Sequence, residues 1–219
     1  MQRIEFFFDL SSPYTWCAFL RIESLCAEVG AELVWKPVLI GGVFNAVNPD
    51  VARKRANPVP VKEAYADKDR QDLARYFGAT GLRVGRPPGH PVPVLRLMRG
   101  AFVALDAGVI SPYSARVFEA YWRDFRNIND DSVIGEIAES VGLERAGFFA
   151  RINEPDCKER LRANTDELIR RGGFGSPTMF LNDTDMYFGS DRLILLEWAA
   201  RGRKPGAGLM APIGRGGPR

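Results

Sequence analysis

Apolar and polar positions change period along the chain, and the changes mark its elements. Residues 3–10, RIEFFFDL, form a short Phe-rich apolar run that predicts a buried strand. SSPYTW then supplies a helix start. Ser11 or Ser12 can cap, and Pro13 fits the first turn, where its missing N–H has no partner to lose. The helix continues through AFLRIESLCAEVG with Phe19, Leu20, Ile22, Leu25, Cys26 and Val29 on one broad face, and Gly30 stops it. Residues 31–40, AELVWKPVLI, predict a second strand, and a strand–helix–strand opening implies a parallel pair. From Gly41 the pattern turns polar and Pro-punctuated, and NAVNPDVARKRANPVP reads as a loop. Six helical patterns follow with no strand between them, from VKEAYADKDRQDLARYF to EPDCKERLRANTDELIRRG. In the third, Ser111 is placed as a cap with Pro112 at the first helical position; Pro155 opens the last. Strand patterns return at residues 176–182 and 185–189, with Asp183-Thr184 between them as a tight hairpin turn. Residues 190–201 predict a capped amphipathic helix, and the Gly-, Pro- and Arg-rich end reads as a flexible tail.

Strands at both ends with helices between them predict an α/β chain with one small sheet. Residues 1–44 and 166–200 would build the sheet domain, residues 45–165 an all-helical insertion, and 201–219 the tail. That order matches a thioredoxin-like fold carrying a large helical insertion domain. Composition changes the picture little: 46% hydrophobic and 26% charged residues suit a globular protein. A net charge of +3 argues against a dedicated nucleic-acid partner. The three cysteines, Cys17, Cys26 and Cys157, have neither metal-type nor disulfide-type spacing, which suits a reducing cytosol. No signal peptide and no apolar run of membrane length is visible, so a cytoplasmic location without a membrane partner is expected.

Candidate chemistry begins at Ser12-Pro13-Tyr14-Thr15, which stands where a redox protein of this fold would carry Cys-Pro-x-Cys. A helix N-terminus stabilises an anion, and Cys-x-x-Cys proteins use it to lower a thiol pKa. With hydroxyls in both positions the chain cannot cycle a disulfide, but Ser12 can donate a hydrogen bond to a thiolate brought by a ligand. Taken alone, Ser12 reads equally as a helix cap. FGSPT, residues 174–178, resembles a cis-proline loop that leaves the backbone of Ser176 free to pair with an extended ligand; an ordinary trans turn is the plainer reading. FGSDR, residues 188–192, puts Ser190 and Asp191 at a helix start, either as caps or as holders of an ammonium and a carboxylate. Asn45, Asn48 and Asn57 lie in the entry to the helical region, and His90, the only histidine, follows RPPG.

Together FFFDLSSPYTW, PVLIGGVF, VPVKEAY, FGSPTMFL and FGSDRL resemble the family of 2-hydroxychromene-2-carboxylate isomerases and kappa-class glutathione transferases, DsbA-like members of the thioredoxin superfamily. The resemblance covers residues 4–200. It implies glutathione as cofactor, with Ser12 at the sulfur and Pro13 and Tyr14 beside it. It also implies Ser176 on the cysteinyl backbone, and Phe188, Gly189, Ser190 and Asp191 around the γ-glutamyl end. Asn45, His90 and either Asn48 or Asn57 would line the pocket for an aromatic substrate. The chain departs from the family pattern in carrying Asn45 where the isomerases often have Lys, and His90 where they often have an aromatic residue. A glutathione-dependent isomerase is the preferred expectation. A kappa-type transferase or peroxidase, and a non-catalytic DsbA-like peptide-binding protein, are the alternatives. A homodimer is implied in the first two.

Overall fold

The computed structural model describes residues 1–51, 57, 59–79, 81–83 and 85–203. Four strands, β1 (Gln2–Phe8), β2 (Ala31–Pro37), β3 (Thr178–Leu181) and β4 (Asp185–Phe188), form one sheet in the order β2-β1-β3-β4. β1 and β2 run parallel, with Phe6 opposite Trp35. β3 lies antiparallel on the other side of β1, with Phe6 opposite Met179. β1 is buried on both faces, and its alternation divides two cores. Ile4, Phe6 and Phe8 join the large cluster, while Phe7 joins a smaller one with Val38, Val43, Leu168 and Phe180.

Helix α1 (Pro13–Val29) has Ser12 as N-cap and ends at Gly30, whose φ of 67° is the left-handed conformation a glycine takes without penalty. Between β2 and β3 come α2 (Ile40–Val47), α3 (Pro60–Phe77), α4 (Leu95–Asp106), α5 (Ile110–Phe118), α6 (Asp131–Ser140), α7 (Arg145–Arg151) and α8 (Pro155–Arg170). A π-helical turn, Glu119–Arg123, continues α5. α9 (Leu193–Ala200) closes the fold. The large core runs without a break from the sheet into the helices: Trp16 of α1 stacks on Phe118 of α5 at 6.1 Å, and Phe19 meets both Trp35 and Phe118.

Several boundaries differ from the sequence reading, each for a local reason. β2 stops at Pro37, and residues 40–47 are a helix instead of the end of a strand and the start of a loop. The Leu39 N–H is taken by the Thr165 hydroxyl (3.0 Å) and the Ile40 N–H by the Asp9 carboxylate (2.9 Å), so α2 is capped from distant chain segments. α5 begins at Ile110, which places Ser111 inside its first turn. Its hydroxyl donates to Glu23 of α1 (2.8 Å) and caps nothing. The β3–β4 turn has three residues, 182–184, with Asn182 and Asp183 at φ 49° and 71°. Asn182 exchanges its own N–H and side-chain oxygen with the backbone of Arg3, which prolongs the β1–β3 pairing. Residues 190–192 are a separate 3₁₀ turn, and α9 starts only at Leu193, with no side-chain cap from Ser190 or Asp191. α8 runs unbroken through position 165. Of the expected tail, Arg203 is ordered, with its N–H on Trp198 and its guanidinium on Asp185; residues 204–219 lie outside the described residues.

Candidate active site

A line of hydroxyls joins the start of α1 to the turn before β3. The Ser12 Oγ accepts from the Thr15 N–H at 3.3 Å, a long capping bond. Among the described residues this is its only bond, so its hydrogen is free to be donated. Thr15 is fully buried and its hydroxyl pairs with the Ser176 hydroxyl at 3.0 Å. The Ser176 Oγ also accepts from the Asp9 N–H at 3.0 Å. Thr15 therefore faces inward and positions Ser176, whereas Ser12 stays partly exposed at the positive end of α1.

The Ser176–Pro177 peptide is cis. The turn is fixed on both sides: the Thr178 hydroxyl donates to the Gly175 carbonyl (2.8 Å), and the Gly189 N–H donates to the Pro177 carbonyl (2.9 Å). Among the described residues the N–H and C=O of Ser176 itself make no hydrogen bond, which leaves an edge on which an extended ligand can add. The Gly189 bond brings the 188–191 segment beside this turn, and the 3₁₀ turn that follows packs on α1. Gly189 has φ 100°, a conformation that L side chains rarely adopt, so any substitution there is strained. Ser190 is 1% exposed and its Oγ has no hydrogen-bond partner. An orphaned buried hydroxyl is costly unless a ligand group completes it. The Asp191 carboxylate is outward, 3.5 Å from Arg192. Phe188 rests on Phe174 with ring centres 4.5 Å apart, both partly exposed.

The helices close the other side. Tyr14 is half-buried, and its hydroxyl stands beside Asp69 and Arg70 of α3. Burial, and then the Asp69 charge, push its pKa up. His90 Nδ1 is 2.7 Å from the Tyr121 hydroxyl, and its ring packs against Tyr121 and Trp122. Burial drives Tyr121 up to about 12, with the nearby Asp9 charge acting in the same direction. Tyr121 therefore stays protonated and sits close enough to the β1–α1 corner to feel its carboxylate. Asn45 is exposed on α2, and Asn48 ends that helix. Asn57 is exposed, and its flanking residues 52–56 and 58 lie outside the described residues. Ser12, Ser176 and the 188–191 segment are thus joined through Thr15 and Pro177, whereas no described bond ties Asn45 to them.

Two participants escaped the sequence reading. Asp9 is fully buried, and its carboxylate accepts from the Ser11 N–H (2.8 Å), the Ser11 hydroxyl (2.5 Å) and the Ile40 N–H (2.9 Å). The Asp-x-Ser spacing at a strand end signals the first two bonds as an Asx-type turn; the third is invisible without the fold. Tyr121 lay in a helical pattern, with nothing in it to name His90 as its partner. All three cysteines are buried and free. Burial pushes Cys17, nearest the site in sequence, up to about 12, so it is no thiolate at neutral pH.

The profile of the DSBA-like thioredoxin domain matches residues 3–200. A 2-hydroxychromene-2-carboxylate isomerase of Pseudomonas putida is 28% identical over 200 residues, covering 91% of this chain and 94% of the relative. Human glutathione S-transferase kappa 1 is 27% identical over 215 residues, covering 89% of each chain. A solved structure of 2-hydroxychromene-2-carboxylate isomerase superposes with a TM-score of 0.73 at 27% identity, over 92% of this chain and 95% of that one. A sheet opened by a strand–helix–strand unit, helices inserted before a cis-proline hairpin, and a profile match over nearly the whole chain agree: this chain belongs to the DsbA-like thioredoxin family.

Proposed function

We propose that the chain is a glutathione-dependent isomerase of the 2-hydroxychromene-2-carboxylate type, acting on aromatic pyruvate-type compounds. The observation that carries this reading is a thiol-handling site with no thiol of its own. Ser12 offers a donor at a helix N-terminus, Ser176 an open backbone edge behind a cis-proline, and Cys17, the cysteine nearest to them in sequence, is buried inside α1. The relatives named as isomerases and kappa transferases support it.

When bound, glutathione supplies a thiol whose conjugate base adds reversibly to an enone and turns its double bond into a rotatable single bond. The residues present fit that group. The Ser12 hydroxyl donates its free hydrogen to the sulfur, and the α1 dipole adds to the preference for the thiolate. Ser176 pairs through its backbone with the cysteinyl unit. The orphaned Ser190 hydroxyl gains a partner at the glutamyl end, and Asp191 faces the ammonium. Pro13 and Tyr14 form the wall beside the sulfur. His90, held by Tyr121, together with Asn45 and Asn57, belongs to the side from which the aromatic substrate enters. A cytoplasmic homodimer accompanies this reading.

The test is direct. A 2-hydroxychromene-2-carboxylate is mixed with the protein and its ultraviolet spectrum followed with and without glutathione. Interconversion only with glutathione supports the proposal; an equal rate without it, or none, removes it. His90 in place of the family's usual aromatic residue favours weighing the kappa-type transferase as the second reading. Conjugation of glutathione to 1-chloro-2,4-dinitrobenzene, with no isomerisation, would establish that instead.

A further inference from the structure

A cleft of about 310 Å³ lies between the entry to α2, the N-terminal half of α4 and the middle of α8. It contains none of the residues assigned above to glutathione or to the aromatic substrate. Its apolar walls are Leu39, Leu95 and Leu161, and its polar groups are Arg99, Lys158, Arg162 and Asp166. Three cations thus face one carboxylate. That carboxylate is loosely engaged, with Arg162 Nε 3.5 Å from Asp166 and both side chains well exposed. Among the described residues neither Arg99 nor Lys158 forms an ion pair, and the Arg99 Nε–H is buried without any acceptor.

The contrast within α8 is informative. Arg160, two residues from Lys158, is held by both amino groups on Asp106 at 2.7 and 2.9 Å. Thr165, which also lines the cleft, has its hydroxyl committed to Leu161 and Leu39, so recognition of a polar ligand falls to the cations. Two cations without ion-pair partners among the described residues, Arg99 and Lys158, beside apolar walls suit an acceptor attached to an apolar body. Arginine matches a carboxylate in shape as well as in charge.

We propose that this cleft binds an apolar carboxylic acid, an aryl or alkyl group bearing one carboxylate, at a site separate from the thiol site around Ser12. The carboxylate lies against Arg99 and Lys158, and the apolar part against Leu39, Leu95 and Leu161. The proposal does not depend on the isomerase reading, since no glutathione-site residue takes part.

The probe is 2-naphthoate, titrated by its own fluorescence against the full chain. Its neutral isostere 2-naphthylmethanol is titrated in parallel. Arg99→Gln and Lys158→Gln should each weaken 2-naphthoate by about tenfold, the size expected when one charge-assisted bond is lost. 2-Naphthylmethanol, which forfeits both charge-assisted contacts, should bind the wild type more weakly than 2-naphthoate binds either variant. Saturating S-methylglutathione should leave 2-naphthoate affinity unchanged. Unchanged affinity in Lys158→Gln, equal binding of the alcohol, or displacement by S-methylglutathione would each overturn the proposal. Lys158 is exposed, so its variant keeps the test decisive even if Arg99→Gln fails to fold.

Discussion

Ser12 shows how one hydroxyl can serve two ends. Its oxygen already accepts a long bond from Thr15, and its hydrogen remains to be spent on a ligand. Donation to a charged acceptor is worth about 1.5–3 kcal/mol, more than the ~0.3–1 kcal/mol of an exposed helix dipole. Ser12→Ala is therefore expected to raise the pKa of the bound glutathione thiol by about 1–2 units and to cut turnover by about 10- to 150-fold. The far-ultraviolet thiolate absorbance of the complex, titrated against pH, reads the shift; superimposable curves for both proteins would leave Ser12 as a cap alone. The cysteines make the complementary case. Cys17 and Cys26 are both driven up to about 12 by burial, and Cys157 is raised by burial too. None should react with a thiol reagent in the native state at pH 8, and all three should react in denaturant. Insulin reduction should equal the uncatalysed rate with or without Cys17→Ser, and the variant should show two reactive thiols in denaturant instead of three.

At the scale of elements, the site depends on how loops are fastened. Asp9 satisfies donors from its own turn and from α2, and so holds the β1–α1 corner against the β2–α2 corner. Asp9→Ala would take the acceptor from the part-buried N–H groups of Ser11 and Ile40, at up to about 1–3 kcal/mol each. A loss of roughly 2–5 kcal/mol in urea unfolding is expected. Full retention of stability would show that water replaces the carboxylate. Length, Pro and Gly made most helices legible, with Pro13 and Gly30 bounding α1 and Pro155 opening α8. α2 was not legible, because IGGVFNAV carries two glycines and no local cap. Its first donors are met by Asp9 and Thr165, which are remote in sequence. The start of α5 was misplaced for a related reason. Ser111 resembles a cap, but Glu23 on another helix accepts its hydroxyl instead.

For the whole molecule, a charge network closes the face of the sheet opposite α1. Glu5, 2% exposed in the central strand, is bonded by Arg171 (2.6 Å) and Arg3 (3.2 Å). Glu167 of α8 binds Arg171 (2.7 Å) and Lys36 of β2 (2.9 Å), and Arg171 also lies 3.8 Å over the Phe180 ring. Burial alone would raise Glu167, but the bonds from Lys36 and Arg171 outweigh it and hold its carboxyl below the usual range. A pKa lower in the folded than in the unfolded state means stability that is complete above the unfolded value, about 4.3, and lost as pH falls through the folded one. Acid unfolding should therefore steepen below about pH 4 in the wild type. Glu167→Gln should flatten that part of the stability–pH curve while lowering stability at pH 7. An identical acid profile in the variant would show that the network contributes nothing.

Local spacing alone determined the order of strands and helices, the serine-for-cysteine exchange at the head of α1, and the segments that resemble glutathione-handling relatives. These are carried by neighbours within one or two turns of chain: an apolar alternation, a cap, a Pro or Gly at a fixed offset. Tertiary structure decided the rest. It chose the cis form at Ser176–Pro177, turned Thr15 inward onto Ser176, gave His90 its tyrosine, and left the hydroxyl of Ser190 and the Nε–H of Arg99 buried without partners. Each of these depends on two groups far apart in sequence being desolvated together, and the cost of a buried donor without an acceptor exists only once the chain has closed around it.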